Sequence, residues 1–522
     1  MMKQAVFSEL PMPETWEICD RYFEPGTLWS SQDIEIVKEA RNRRVYRSSD
    51  LFIKVFRIGS VVRKLRNHGK KEWIMAQSLH SHGLTASPVA YGRIGEWSYF
   101  VTREVPGPTL ASFLNSSWPI LNHKDKGKVM YSFSQFIVGL SQAGLFQPDF
   151  HLNNVMYNQW KNQFFLIDLH SGHRYLRPLN LKERVEQLSY ILPPLWGNIS
   201  PRDMLTFVSM LSKEWPELRD RSLRYKVQEK AFWRMRRHCS KRGLRRVKKS
   251  LSKINIGKKV IFLSAGTPEE VRHLLHNILN ETMKDKKTIL KNSRHTLSLL
   301  VKVAATTYFL KIYRNSSHFK SCLDLFRTSR AERAWNTSWN LIVRQISTPL
   351  PLAALDTKNP WNEIYGAVVH PQIGAGKENI EMIKRTLKNP CTAPVFLSKL
   401  CGFVWEMHEK GVFHGDCKIT NFYFDPRSPA PFTVFDLDGT KIKTRLSDNE
   451  RLSDLVNLCA SLEWWQIREN LTEEVLNLYT SRHITWREEK HRLLKKLQIK
   501  VLRRLERKKN REIQKTETLA EN

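Results

Sequence analysis

"GVFHGDCKITNFYFDPRSPAPFTVFDLDGT", residues 411–440, sets an Asp, an Asn five positions later and a second Asp beyond an apolar run: Asp416, Asn421 and Asp436. An earlier stretch, residues 145–172, "LFQPDFHLNNVMYNQWKNQFFLIDLHSG", keeps the same schedule with Asp149, Asn154 and Asp168. Working outward, further pairs of landmarks emerge. "LFIKVF" places Lys54 inside a short apolar run of strand character, and "YFLKIY" does the same for Lys311. A helical pattern follows each Lys: "KKEWIMAQSLHSHG" carries Glu72 and "SRAERAWNTSWNLI" carries Glu332. Proline-marked turns, "GLTASPVAYG" and "ISTPLPLAAL", come next.

The offset between equivalents is 257 residues for the Lys pair, 260 for the Glu pair, 267 for the first Asp and the Asn, and 268 for the last Asp. Offsets that grow in chain order are what loop insertions in a duplicated domain produce. They point to an internal repeat of domain size, far longer than a solenoid period. The expected units are residues 28–250 and 260–515. Each ends in a cationic helical segment. Residues 221–260 hold sixteen Lys/Arg against the single acid Glu229, and "TWREEKHRLLKKLQIKVLRRLERKKNREIQK" closes the chain in similar style.

At 522 residues the chain is too long for one compact core, and 41% hydrophobic content is enough to build more than one. The 85 Lys+Arg exceed the 51 Asp+Glu by a net charge of +34, which predicts attraction to polyanions. No recognised nucleic-acid reader motif accompanies that charge, which speaks against a nucleic-acid role. The seven cysteines are scattered and form no CxxC pair, so a reducing compartment fits better than a disulfide scaffold. The first twenty residues lack a basic segment followed by an apolar one, and no window resembles a spanning helix. These features lead to the expectation of a cytoplasmic protein with an anionic partner.

Phosphoryl transfer from ATP gives every landmark a purpose. A strand Lys steadies the α/β-phosphates, and a Glu on the next helix holds that Lys. An Asp in a tight loop takes the acceptor proton, an Asn five residues on ligates Mg²⁺, and a later Asp holds Mg²⁺ between the phosphates. Unit two supplies Lys311, Glu332, Asp416, Asn421 and Asp436; unit one supplies Lys54, Glu72, Asp149, Asn154 and Asp168. Taken singly, a Lys in an apolar run often just snorkels, and a loop Asp is often structural. The complete ordered set, present twice, carries more weight. His408, His414, Cys401 and Cys417 do not have the spacing of a zinc finger.

The segment "MHEKGVFHGDCKITN…VFDLDG" resembles the catalytic loop and metal segment of the protein-kinase-like superfamily. Within it, "RAERAW", the HGD-x-K-x-x-N loop and the terse "FDLDG" and "IDLHSG" segments most resemble the lipopolysaccharide kinase (Kdo/WaaP) family, as does the basic "RRHCSKRGLRR". The resemblance implies an α+β fold of two tandem bilobal kinase-like domains, each a small β-rich N-lobe followed by a helical C-lobe. It implies ATP and Mg²⁺ as cofactors and a Kdo or heptose hydroxyl of lipid A–core as acceptor. The setting would be the cytoplasmic, peripheral side of the anionic inner membrane. It places Lys418 near the γ-phosphate. Two departures stand out. Neither unit has a Gly-rich loop before its Lys, and unit one replaces His-Gly-Asp with Gln147-Pro148-Asp149 and Lys418 with His151. Unit two is therefore the better candidate for activity. A tandem pseudokinase that binds membrane surfaces, and a kinase for proteins or small soluble acceptors, remain open alternatives.

Overall fold

The computed structural model describes the chain except residues 1–12, 14, 25, 27–33, 41, 59–66, 197, 244, 246, 248–250, 257–258, 280–286, 304, 315–328, 358–363, 375, 429, 483–485, 487–488 and 521–522. The chain divides into two compact units, Met1–Ala231 and Phe232–Asn522. Cys322, and positions 28 and 250 that bound the expected first unit, lie outside the described residues.

In the first unit the strand Leu51–Arg57 is apolar on both faces, so it can only be central. It pairs antiparallel with Arg43–Ser48 on one side and Trp97–Arg103 on the other. The full sheet runs Thr15–Ile18, Pro88–Ile94, Trp97–Arg103, Leu51–Arg57, Arg43–Ser48, Ile34–Ala40. Ile53 and Val55 join Tyr46, Val89, Tyr99 and Val101 in one apolar layer, while the alternate residue Phe56 packs with the helical core. The helix His68–His80, capped by the Asn67 side chain, lies against that second face with Trp73 and Leu79 buried. The helices His123–Gln142, Leu181–Leu195 and Pro201–Glu214 then close around Phe133, Phe164 and Phe207. Capping boxes at Asn180/Glu183 and Ser200/Asp203 start the last two.

The second unit opens with a seven-stranded sheet in the order Ser252–Ile256, Lys259–Leu263, Ala353–Asp356, Ile364–Pro371, Thr306–Arg314, Thr296–Val303, Lys287–Asn292. Strand periodicity decides which face is which. Tyr308, Leu310 and Ile312 enter an apolar layer completed by Leu274 and Leu275 of the helix Glu269–Leu279. Phe309, Lys311 and Tyr313 point the other way and line a cleft. The helix Arg330–Val343 backs that face through Ala331, Ala334 and Trp335. Helices Lys377–Lys388, Ala393–Glu409, Asp448–Glu463, Leu471–Thr480 and Lys490–Ala520 form the helical part around one core. Both units are therefore α+β, with an antiparallel sheet followed by helices. The basic segment after Phe232 packs within the second unit: Arg236 donates to the Glu409 carbonyl, and Arg344 donates to Ser240 Oγ at 2.7 Å. Among the described residues no helix is long and apolar enough to cross a membrane.

The last helix docks by Leu493, Leu497 and Val501, spaced four apart and buried. Leu497→Ala should cost about 3 kcal/mol of unfolding free energy, whereas Leu502→Ala, 59% exposed on the same helix, should cost under about 0.5. Chemical denaturation of the two variants checks the difference.

Candidate functional site

The sequence stretch 411–440 folds as a loop strung from one buried carboxylate. Asp454, in the helix Asp448–Glu463, is fully buried; it accepts the backbone N–H groups of His414 at 2.8 Å and Gly415 at 2.9 Å, and meets His408 Nε2 at 3.2 Å. Gly415 has φ of 79°, and a Cβ there would lie 2.7 Å from the Gly439 carbonyl oxygen, so only Gly lets the two loop segments touch backbone to backbone. The ring of His414 joins the same segments. Its Nδ1 accepts the Asp416 N–H at 3.3 Å and its Nε2 donates to the Phe435 carbonyl at 3.1 Å.

This frame aims the functional side chains into a cleft of about 640 Å³ lined by Lys291, Lys311, Asp416, Asn421, Asp436 and Asp438, among others. Lys418 Nζ sits 2.8 Å from Asp416 Oδ2. Asn421 Nδ2 donates to the Asp416 carbonyl at 2.9 Å, leaving its Oδ1 to accept or ligate. Asp436 adopts the left-handed region at φ 60°, which turns its carboxylate toward the sheet. Lys311 lies 2.6 Å from Asp436 and 2.7 Å from Asp438, and Tyr313 donates to the other Asp438 oxygen at 2.8 Å. Burial opposes the charge on Lys311, but Asp438 and Asp436 outweigh it and hold its pKa above the usual range. Burial likewise pushes Asp436 up, and Lys311, His414 and Lys291 outweigh it, so its carboxylate stays ionised. Oxygen ligands from Asn421 and Asp436 suit a hard divalent cation such as Mg²⁺, and the cleft volume suits a nucleotide. In place of a Gly-rich loop, strands Lys287–Asn292 and Thr296–Val303 contribute Leu290, Lys291, Thr296, Ser298 and Leu300 to the cleft wall.

One expectation is corrected. The sequence reading paired Lys311 with Glu332, but among the described residues no ion pair joins them. Glu332 sits in the first helical turn, its N–H on Ser329 Oγ at 3.0 Å. The buried Trp73 and Trp335 are the better landmarks, and matching them sets Ala334, not Glu332, opposite Glu72. Ala334 does line the cleft. Asp438 supplies the carboxylate that the helix lacks.

The first unit inverts this arrangement. Lys54 and Glu72 are both buried and paired at 2.6 Å. Asp168, however, is held by Arg43 at 3.0 Å and by His170, which stands where the second unit has Asp438. Burial raises the Asp168 pKa, but His170, Lys54 and Arg43 outweigh it and hold it below the carboxylate range. Glu72, Asp168 and His170 could each offer a ligand atom to a metal ion, yet Lys54 and Arg43 already occupy one oxygen of each carboxylate. Asp149 pairs with His151 Nε2 at 2.9 Å, which lowers its pKa, and Asn154 caps its turn through its N–H to the His151 carbonyl at 2.8 Å. The loop frame is rebuilt from amides. Gln187 accepts the Gln147 N–H at 2.7 Å, and Gln147 Nε2 donates to the Asp168 carbonyl. Asp438, Asp454, Lys291 and Arg43 were missed in the sequence. Asp454 was findable, because Asp416 to Asp454 and Asp149 to Gln187 are both 38 residues.

A sheet-and-helix unit whose cleft gathers a strand Lys, a loop Asp, an Asn five residues on and a following Asp is the arrangement of a protein-kinase-like domain. Residues 281–479, within the second unit, match the model of the lipopolysaccharide kinase (Kdo/WaaP) family. Among solved structures, one described as WaaP in complex with acyl carrier protein is 18% identical with a TM-score of 0.35, over 45% of this chain and 96% of that one. Another, the pseudokinase domain of BIR2, an immune regulator of the RLK/Pelle family, is 13% identical with a TM-score of 0.28, over 44% and 85%. No curated protein matches the chain.

His370, half-buried on the cleft wall, is kept neutral because burial pushes its pKa down to about 4. Its folded pKa lies below the unfolded value of about 6.5, so its share of stability is full above that pH. That share is lost as pH falls through the folded value. Between pH ~6.5 and ~4 the wild type should lose up to about 3 kcal/mol that His370→Gln does not lose. Denaturant titrations of both proteins across that window measure the difference.

Proposed function

We propose that the second unit is an ATP- and Mg²⁺-dependent kinase that transfers a phosphoryl group to a sugar hydroxyl, Kdo or heptose, of a lipid A–core acceptor at the cytoplasmic membrane surface. The observation that carries this reading is the convergence of Lys311, Asp416, Asn421 and Asp436 on one cleft within the family-matched segment. Bound Mg²⁺–ATP supplies the transferable phosphoryl group and the divalent charge that offsets its negative charge. Asn421 and Asp436 would hold the metal, and Lys311 the phosphates. Asp416 accepts the proton of the attacking hydroxyl as its oxygen bonds to the γ-phosphorus and the bond to the β-phosphate oxygen breaks, with ADP leaving. Lys418, beside Asp416, is placed to balance charge on the transferring group. Glu332 has no phosphate-orienting role in this reading; Asp438 takes it.

The first unit reads as a related domain turned to a non-catalytic task, docking or regulation. Arg43 and His170 occupy Asp168, the position a metal would need. Lys54, Glu72, Asp149 and Asn154 keep their places around that blocked carboxylate.

Labelled γ-phosphate transfer from ATP to purified lipid A–core tests both assignments. Asp416→Ala should lower the rate by about 10³-fold or more, whereas Asp149→Ala should leave it within a few-fold. Loss of labelling in Asp149→Ala alone would reverse the roles. Asp438→Ala should weaken Mg²⁺–ATP binding about tenfold, and adding Ala334→Glu should recover part of that loss. Titration calorimetry with a non-hydrolysable ATP analogue measures it.

A further inference from the structure

The helix Lys490–Ala520 lies beyond the family-matched segment, yet it runs past the catalytic loop. Arg504 Nη2 is 3.9 Å from Asp416 Oδ1, the carboxylate assigned as base. One turn on, Lys508 Nζ lies 3.7 Å from the Trp464 ring centre; burial lowers its pKa, and Lys418 is close enough to contribute. With Leu493, Leu497 and Val501 facing the core, the rotation of the helix is fixed. Lys500, Arg504, Arg507 and Arg511 then recur at steps of four, three and four within an arc of roughly 60° that continues the line of Leu493 along the docked side of the helix, and all four are exposed. Glu506 and Glu512 fall outside that arc. Among the described residues none of Lys500, Arg507 and Arg511 is paired with a carboxylate, and the stripe extends about 16 Å.

We propose that this stripe is the acceptor rail of the kinase: it binds the phosphate groups of an anionic glycolipid headgroup and so carries one of its hydroxyls to Asp416. The inference rests on the kinase reading of the same cleft. Three features support it. Arg504 touches the base, so an anion seated on Arg504 places neighbouring sugar hydroxyls within reach of Asp416. The cations are guanidinium-rich and aligned, which suits bidentate pairing with phosphate. Their spread matches several anionic groups on one headgroup better than a lone phosphate. The rail thereby selects acceptors that already carry phosphate groups, so this transfer follows whatever reaction installs them.

The test uses the full chain and a lipid A–core glycolipid in neutral detergent micelles, either intact or stripped of its phosphates by a phosphatase. Binding is read by change in tryptophan fluorescence, and turnover by labelled phosphate. Wild type should bind the intact glycolipid at least about tenfold more tightly than the stripped one. Lys500→Gln/Arg507→Gln/Arg511→Gln should erase that preference and raise KM for the intact acceptor about tenfold, with KM for ATP unchanged. A control of equal charge loss on other faces of the helix, Lys495→Gln/Arg503→Gln/Lys509→Gln, should behave as wild type. All six positions are exposed, and thermal unfolding confirms that each variant is folded. The proposal is overturned if wild type binds both glycolipids alike. It is equally overturned if the control loses as much as the rail variant, the outcome expected of non-specific attraction to an anionic surface. If wild type shows the binding preference but transfers no phosphate, the kinase reading fails while the anion rail stands.

Discussion

The second unit depends on the Asp454 carboxylate. It is fully buried and holds two consecutive backbone N–H groups, of His414 and Gly415, from a helix in the middle of the fold. A buried charge survives only when its lone pairs are filled, and here they are filled by the catalytic loop itself and by His408. The loop is thus ordered by the same interaction that makes the charge tolerable. Asn457 reinforces it from the next helical turn, donating to the Gly415 carbonyl at 3.1 Å, and Ser461 accepts the Ile419 N–H at 2.9 Å. Three side chains of one helix therefore fix the path from His414 to Asn421, and with it the positions of Asp416 and the proposed metal ligands.

The first unit shows what happens when that constraint is met with neutral groups. Gln187 and Gln147 replace Asp454 and His414 with neutral amides: Gln187 accepts the one N–H of Gln147, and Gln147 Nε2 donates to the Asp168 carbonyl. Pro148 stands where the second unit has Gly415, and its ring cannot take the φ of 79° that Gly415 adopts, so the loop backbone differs between the units at this point. The charges around Lys54 are then rearranged. The helix Glu is retained, the carboxylate at the position of Asp438 becomes His170, and Arg43 neutralises Asp168. In the second unit the helix Glu is absent and Asp438 is present. Each unit keeps one extra carboxylate near its strand Lys, from opposite walls of the cleft, because a Lys in an apolar strand needs a counter-charge from somewhere.

This explains which parts of the site were legible in the sequence. Asp416, Asn421 and Asp436 sit in a short loop and hairpin whose length is dictated by backbone geometry, so their spacing is preserved and readable. Lys54 and Lys311 were legible because a charge inside an apolar strand is conspicuous. The partner of Lys311 was not, for two reasons. The segment between its strand and helix differs in length from that of the first unit, so spacing alone slipped the helix register by two residues, from Ala334 to Glu332. The real partner also lay inside the quoted stretch, where Asp438 read as an ordinary loop acid. The α+β layering followed from strand and helix periodicity. The wall contributed by Lys287–Asn292 and Thr296–Val303 carries no glycine signature and had no sequence marker.

Charge in this molecule acts at two ranges. Inside the cleft, Lys311 and Asp436 set each other's ionisation over contact distances, and salt has little access to them. Along the terminal helix the cations are exposed, and each alone would contribute little. Their effect comes from alignment: a net charge of +34 spread evenly would attract any polyanion, but Lys500, Arg504, Arg507 and Arg511 on one face, with Arg504 at the base, give that attraction a direction. The apolar seam of Leu493, Leu497 and Val501 is what converts composition into geometry, because burying it leaves the helix a single rotation. Packing of uncharged residues thus decides where the charged ones act.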